Sequence, residues 1–116
     1  MSERLPKHLH DALRAARLAL DFLGDKDVAA YEADALLRSA VERQVEIVGE
    51  ACRRAIDDTP ALRERVPECA LAVAIRNRIA HGYDSVDNLV VLNTVKGSFP
   101  SLAERLAQEL ARFPCA

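Results

Sequence analysis

Two guanidinium groups, an amide, an imidazole and a phenol fall within eight consecutive residues, Arg76-Asn77-Arg78-Ile79-Ala80-His81-Gly82-Tyr83. The whole chain of 116 residues has only three histidines and two tyrosines, so this stretch gathers much of its reactive chemistry. Arginine stays protonated at any accessible pH and meets phosphoryl oxygens with paired hydrogen bonds. Histidine titrates near neutrality and can take or give a proton. Arg76 and His81 together therefore suit phosphodiester chemistry. RNA carries its own nucleophile, the 2′-hydroxyl beside each phosphate, so neither a metal nor a protein nucleophile is needed. DNA lacks that group and should be inert. The chemistry predicted from these residues is a metal-independent endoribonuclease, set against a plainer reading of a polar helix end with a packed tyrosine.

Spacing constrains how the pair could work. Residues five apart on a continuous helix lie about 140° apart around its axis. Arg76 and His81 share a site only if the helix stops near His81, or if two copies face each other. Gly82 is the expected stop.

The elements that must position this stretch are helices. Leu5, Leu9, Ala12, Leu13, Ala16, Leu20 and Leu23 recur every three or four residues, as on one face of a helix, and Gly24 ends it. Asp25 or Asp27 caps the next helix. One long helix is expected from Val28 to Ile56. Its first stripe is Leu37, Val41, Val45, Val48, Cys52 and Ile56, and its second Ala40, Ile47, Ala51 and Ala55. Apolar on two sides, it should be the central helix. Glu42, Glu46 and Glu50 put like charges on successive turns, unfavourable by a few tenths of a kcal/mol per pair. They form a solvated face, unless one carboxylate turns inward to orient an arginine from elsewhere. Thr59 and Pro60 should open a short helix over Ala61 to Val66, Thr59 capping. A helix through Ala70, Val73 and Ala74 leads into Arg76. Asp84-Ser85-Val86-Asp87 then caps a helix to about Val95. Gly97 and Pro100 break the pattern before a last helix carrying Phe99, Leu102, Leu106, Leu110 and Phe113. The expected fold is all-α: four or five helices in one up-and-down-like bundle, a single domain over residues 1–116.

Composition narrows the partners. A formal charge of −2 supplies no global basic field, so any nucleic acid must be held by a local arginine cluster. Arg53, Arg54, Arg63 and Arg65 are one such cluster, a solvated surface being the equal alternative. Cys52, Cys69 and Cys115 share no C-x-x-C spacing, which argues against a zinc site or a disulfide framework; buried thiols are expected. The amino terminus MSERLPKHLH has no apolar signal core and no apolar run could span a bilayer, so the expected location is cytoplasmic, with no membrane partner. His8 and His10 are expected on the exposed side of the first helix, and Tyr31 as a packing residue.

The pattern R-N-x-x-x-H-G-Y, with Val86-Asp87 shortly after it, resembles the signature of the HepT-like toxins of the HEPN superfamily. Ala40-Val41-Glu42-Arg43 and Glu46-Ile47-Val48-Gly49-Glu50-Ala51 resemble that family's second-helix segment, and Leu102 to Leu110 its final helix. The resemblance covers most of the chain. It implies a homodimeric bundle of HEPN type with both R-x-x-x-x-H motifs in one interface cleft. It implies an RNA substrate, tRNA or mRNA, with Arg76 and His81 catalytic, Asn77 as polar helper and no cofactor. It also implies a toxin of a type II/type VII-like toxin–antitoxin system. The partner there is an MNT-type nucleotidyltransferase antitoxin that transfers AMP from ATP to the tyrosine of H-x-Y, here Tyr83. Members often carry a large aromatic before the catalytic helix; this chain has Pro67-Glu68-Cys69 instead, which should loosen that corner.

Arg78, beside the motif, is the best additional phosphate contact. The rival from another class is a non-catalytic helical dimer acting as the binding subunit of a nucleotidyltransferase complex. A DNA-binding regulator is disfavoured, since no basic field or recognition-helix pattern is present.

Overall fold

The computed structural model describes residues 4–81 and 87–114, apart from the side chains of residues 80 and 81. Among the described residues six helices occur in order: α1 (Leu5–Leu23), α2 (Val28–Ala33), α3 (Ala35–Asp58), α4 (Leu62–Arg65), α5 (Glu68–His81) and α6 (Asn88–Leu110). Among the described residues there is no strand, and the fold is an all-α bundle of HEPN type. The four long helices form a sequence of neighbours: α6 packs on α1, α1 on α3 and α3 on α5, with α5 touching α6 only lightly. Helix α3 is central, as its two apolar stripes require.

α1 buries Leu5, Leu9, Ala12, Leu13, Ala16 and Leu23, and Gly24 closes it at φ 56° with its N–H on the Leu20 carbonyl. That left-handed turn is the conformation glycine adopts without steric cost.

The long second helix expected from Val28 to Ile56 is two helices. Asp34 sits between them at φ −116°, ψ 95°, and its carboxylate accepts the Leu37 N–H at 3.0 Å, opening α3. Tyr31 and Leu37 would lie about 120° apart on an unbroken helix. The break turns both into the core, where Tyr31 is fully buried. Asp27 caps α2 as expected, accepting from Ala30 at 2.9 Å.

Thr59 does not cap the next helix. It closes α3 through its N–H to Ala55, and its hydroxyl donates to Asp58 at 3.0 Å. α4 begins three residues on without a side-chain cap.

Gly97 and Pro100 do not divide the last segment either. α6 runs unbroken for 23 residues from its Asp87 cap, whose carboxylate accepts from Leu89 and Val90. Val91, Leu92, Val95, Phe99, Leu102 and Leu106 form one buried stripe across the supposed break, while Gly97 and Pro100 face solvent. Each such side chain gains about 1.5–3 kcal/mol on burial. That outweighs about 3 kcal/mol for an interior proline and about 1 for glycine. Packing overrides propensity here.

The corner before α5 is tied down despite the missing aromatic. Ser101 donates to Glu68, Arg105 pairs with Glu68 at 3.1 Å, and Cys69 is buried. Desolvation pushes the Glu68 carboxyl up, but the Ser101 and Arg105 contacts leave it below its ordinary value. The start of α5 is thereby anchored to α6.

Candidate functional site

The site begins with a glycine. Gly49 lies in the middle of α3, where glycine costs about 1 kcal/mol relative to alanine, and it is buried. A Cβ placed there would stand 2.7 Å from Arg76 Cγ and 2.8 Å from the Ala72 carbonyl oxygen, and nearer still to Arg76 Cβ. The backbone of α3 thus approaches α5 at the root of Arg76. No other residue fits.

Next along α3 is Glu50, and it supplies the inward carboxylate. Its Oε2 lies 3.4 Å from Arg76 Nη2, while Arg76 Nη1 donates to Asn77 Oδ1 at 3.1 Å. The guanidinium is therefore gripped from two sides, by an acid on the neighbouring helix and by the amide next in its own chain. A guanidinium has five N–H donors. With one used on Asn77 and one directed at Glu50, three remain.

Glu50 is itself strongly held. Its Oε1 accepts from Arg53 Nη2 at 2.7 Å and Arg54 Nε at 3.0 Å. The Arg53 hydrogen bond first, then those of Arg54 and the nearby charges, lower its pKa to about 2 against the opposing effect of burial. Glu50 is ionised throughout the neutral range. Glu42, by contrast, is pushed up, mainly by burial and further by Glu46.

Arg76 reaches the wall of a cleft of about 470 Å³ between α1 and α3. His8, Arg14, Arg43 and Arg54 stand in the same walls. His8, expected to be an exposed bystander, is half-buried in this cleft, whereas His10 is exposed as expected.

The other predicted site residues are less closely gathered. Position 81 closes the described part of α5, so the helix is continuous from Arg76 through it. By helical register it lies about 140° round the axis from Arg76, towards the side that carries exposed Ala74 and Asn77. Tyr83 and the Gly82 stop lie outside the described residues. Arg78 is exposed and has no hydrogen-bond or ion-pair partner among the described residues. The arginines proposed as one basic patch are separated. Arg53 and Arg54 are engaged by Glu50 and Asp57, while Arg65 pairs with Glu109 at 2.9 Å beside a different cavity of about 120 Å³.

Tyr31 is the packing residue expected. Its hydroxyl is buried without a hydrogen-bond partner among the described residues, and burial, with the Glu42 charge, pushes it up to about 12. Cys52 and Cys69 are both buried. A hydrogen bond to Cys69, together with burial, raises the Cys52 thiol well above its ordinary value. Among the described residues no group of three or more His, Cys, Asp or Glu could hold a metal ion. No helix there is long and apolar enough to cross a membrane.

Sequence reasoning singles out Arg76 from its type and Asn77 through the family resemblance. It weighs Glu50 only as one of three acids and Arg43 only as a neighbour on the same charged face, and it gives Gly49 and Arg14 no role. A glycine inside a strongly helical run is the available signal, because it invites close backbone approach.

Similarity to known proteins bears on the family of the chain. Positions 12–109 match the family model described as "Ribonuclease HepT-like". A Methanocaldococcus jannaschii protein provisionally named an RNase is 31% identical over 109 residues, covering 91% of this chain and 97% of the relative. A Thermococcus cleftensis protein provisionally named a ribonuclease HepT is 32% identical over 95 residues, covering 82% of this chain and 86% of the relative. No solved structure is a significant match.

Proposed function

The chain belongs to the HepT-like ribonuclease family, and we propose that it is a metal-independent endoribonuclease toxin of a type II/type VII-like toxin–antitoxin system. The observation that carries the reading is the Arg76 guanidinium, gripped by Glu50 and Asn77 at the wall of a polar cleft with three N–H donors unspent. Such a group is preorganised for the charge that develops on a phosphorane.

In the proposed reaction the 2′-oxygen attacks the adjacent phosphorus, and a His81 imidazole takes the 2′-hydroxyl proton. Negative charge grows on the non-bridging oxygens, where Arg76 donates. The bond to the 5′-oxygen breaks and that oxygen receives a proton, leaving a 2′,3′-cyclic phosphate and a 5′-hydroxyl. One imidazole cannot act as base and acid in the same step. A homodimer supplies two, and the angular separation of Arg76 and position 81 along a continuous α5 favours sites completed across protomers. The outward side of α5 supports this: Leu71 is 55% exposed, and Ala74 is exposed beside it.

Control is proposed to come from an MNT-type nucleotidyltransferase antitoxin. The Tyr83 phenol oxygen would attack the α-phosphorus of ATP, form the phosphodiester to AMP and release pyrophosphate. The added phosphate charge and nucleotide bulk two residues from His81 would repel and block RNA.

The test is incubation of purified protein with RNA in excess EDTA, comparing wild type with His81→Ala. Cleavage by the wild type alone supports the reading, and equal cleavage by both overturns the catalytic assignment. The rival, a non-catalytic dimer serving as a nucleotidyltransferase's binding subunit, is favoured by the −2 charge and by the neutralised Arg53 and Arg54. It predicts complex formation with no cleavage under any condition.

A further inference from the structure

We infer that the α1–α3 cleft is the track for the single-stranded RNA backbone, with Arg14 and Arg43 holding phosphates other than the one Arg76 serves. The inference rests on the ribonuclease reading and adds to it where the substrate lies.

The geometry runs as one line. α1 and α3 are antiparallel, since Leu5 near the start of one and Thr59 at the end of the other line the same small cavity. Within the larger cleft, His8 and Arg54 therefore belong to one end and Leu18 and Arg43 to the other, with Arg14 between them on α1. On α3, Arg43, Glu46 and Glu50 recur at three- and four-residue spacing and share a face. Arg43 lies about 10 Å along the helix axis from Glu50, at 1.5 Å per residue. The lining from Arg43 to Arg54 spans about 16 Å, enough for on the order of four to five stacked nucleotides at about 3.4 Å each.

Charge within the cleft is not uniform, and the free guanidinium charge sits away from the Arg54 end. Asp11 is engaged by Lys7 at 2.8 Å, and Glu50 by Arg53, Arg54 and Arg76. Glu46 is the one lining carboxylate left without an ion-pair partner among the described residues. Arg14 and Arg43, exposed on facing helices, are likewise without hydrogen-bond or ion-pair partners there. Two unengaged guanidinium groups on facing walls of one groove suit a strand of phosphates running along it. Neither belongs to the arginine cluster that the sequence alone suggests.

The experiment uses full-length His81→Ala protein, so that RNA is bound without being consumed, and a fluorescent single-stranded oligoribonucleotide titrated at several salt concentrations. Adding Arg14→Ala and Arg43→Ala should weaken binding by about tenfold or more. It should also flatten the slope of log Kd against log salt by about 1.4, from about 0.7 per single-strand phosphate contact. Arg63→Ala, exposed and outside the cleft, should change neither. Both cleft arginines are exposed and unpaired, so an unchanged thermal melt is expected and excludes misfolding as the cause. Arg14→Glu with Arg43→Glu should weaken binding further still. Unchanged affinity and slope overturn the track, as does a double variant that loses only dimerisation or antitoxin binding. The two readings fail separately. Wild-type cleavage, with an unaltered KM when Arg14→Ala and Arg43→Ala are placed in protein that keeps His81, removes the track and leaves the ribonuclease, whereas cleft-dependent binding without wild-type cleavage does the reverse.

Discussion

Gly49 on α3 and the root of Arg76 on α5 lie so close that position 49 has no room for a side chain, for a Cβ there would stand 2.7 Å from Arg76 Cγ. The closeness of the two helices is what brings Glu50, the next residue of α3, within 3.4 Å of the same guanidinium. One missing methyl group thus sets both the packing and the electrostatics of the site.

Gly49→Ala should therefore fail on two counts. The added carbon also meets the Ala72 carbonyl, which is backbone and cannot swing aside. Overpacking of this kind costs about 1–3 kcal/mol, read as a lowered denaturant midpoint. Ribonuclease activity should fall by more than the loss of folded protein explains, because Arg76 must move. A variant of wild-type stability and activity would show that the contact relaxes freely.

Glu50→Gln removes the charge that faces Arg76 while keeping its shape. Activity is expected to fall, through kcat more than KM, since the residue orients Arg76 and does not reach the substrate. Asn77→Ala should do the same more weakly, being a neutral partner. If Glu50→Gln left kcat unchanged, the orienting role would be wrong.

The same carboxylate makes a pH prediction whose sign comes from its lowered pKa. In the folded chain it titrates at about 2, against an ordinary value of 4.5, because Arg53 and Arg54 hydrogen-bond its ionised form. The stability it contributes is fully present above about pH 4.5 and is lost as pH falls towards 2. The difference in melting temperature between wild type and Glu50→Gln should be flat from pH 5 to 8 and shrink below 4.5. A difference that changes across the neutral range would point to another group.

Pro100 sits exposed inside α6, and its missing N–H leaves the Lys96 carbonyl without its usual helical donor. Pro100→Ala should stabilise the chain by on the order of 2 kcal/mol, measured by chemical denaturation. A destabilised variant would mean that the ring is needed for packing.

The apolar stripes of α1, α3 and the second half of α6 can be read directly, since a 3.6-residue period survives in sequence wherever one face is buried. The divisions between helices cannot. The Asp34 break depends on where Tyr31 has to go, and the continuity through Gly97 and Pro100 on a stripe that local punctuation hides. At the site, Arg76 is visible from its chemistry and Asn77 through the family resemblance. Glu50 is one acid among three until α5 is placed beside it. Arg14 and Arg43 come from separate segments and share a cleft only in the fold, so no spacing pairs them. His8 is read as exposed for the same reason: its surroundings are made by α3.

The central claim is that Arg76 stabilises a transition state on RNA. The measurement is single-turnover cleavage of an RNA oligonucleotide in EDTA by wild type, Arg76→Ala and Arg76→Lys, with product ends identified by mass. A 2′,3′-cyclic phosphate is expected from the wild type. The rate should be lower by about a hundredfold or more in Arg76→Ala, as for loss of one preorganised donor group, with little rescue by lysine. Cleavage at the wild-type rate by Arg76→Ala would contradict the claim.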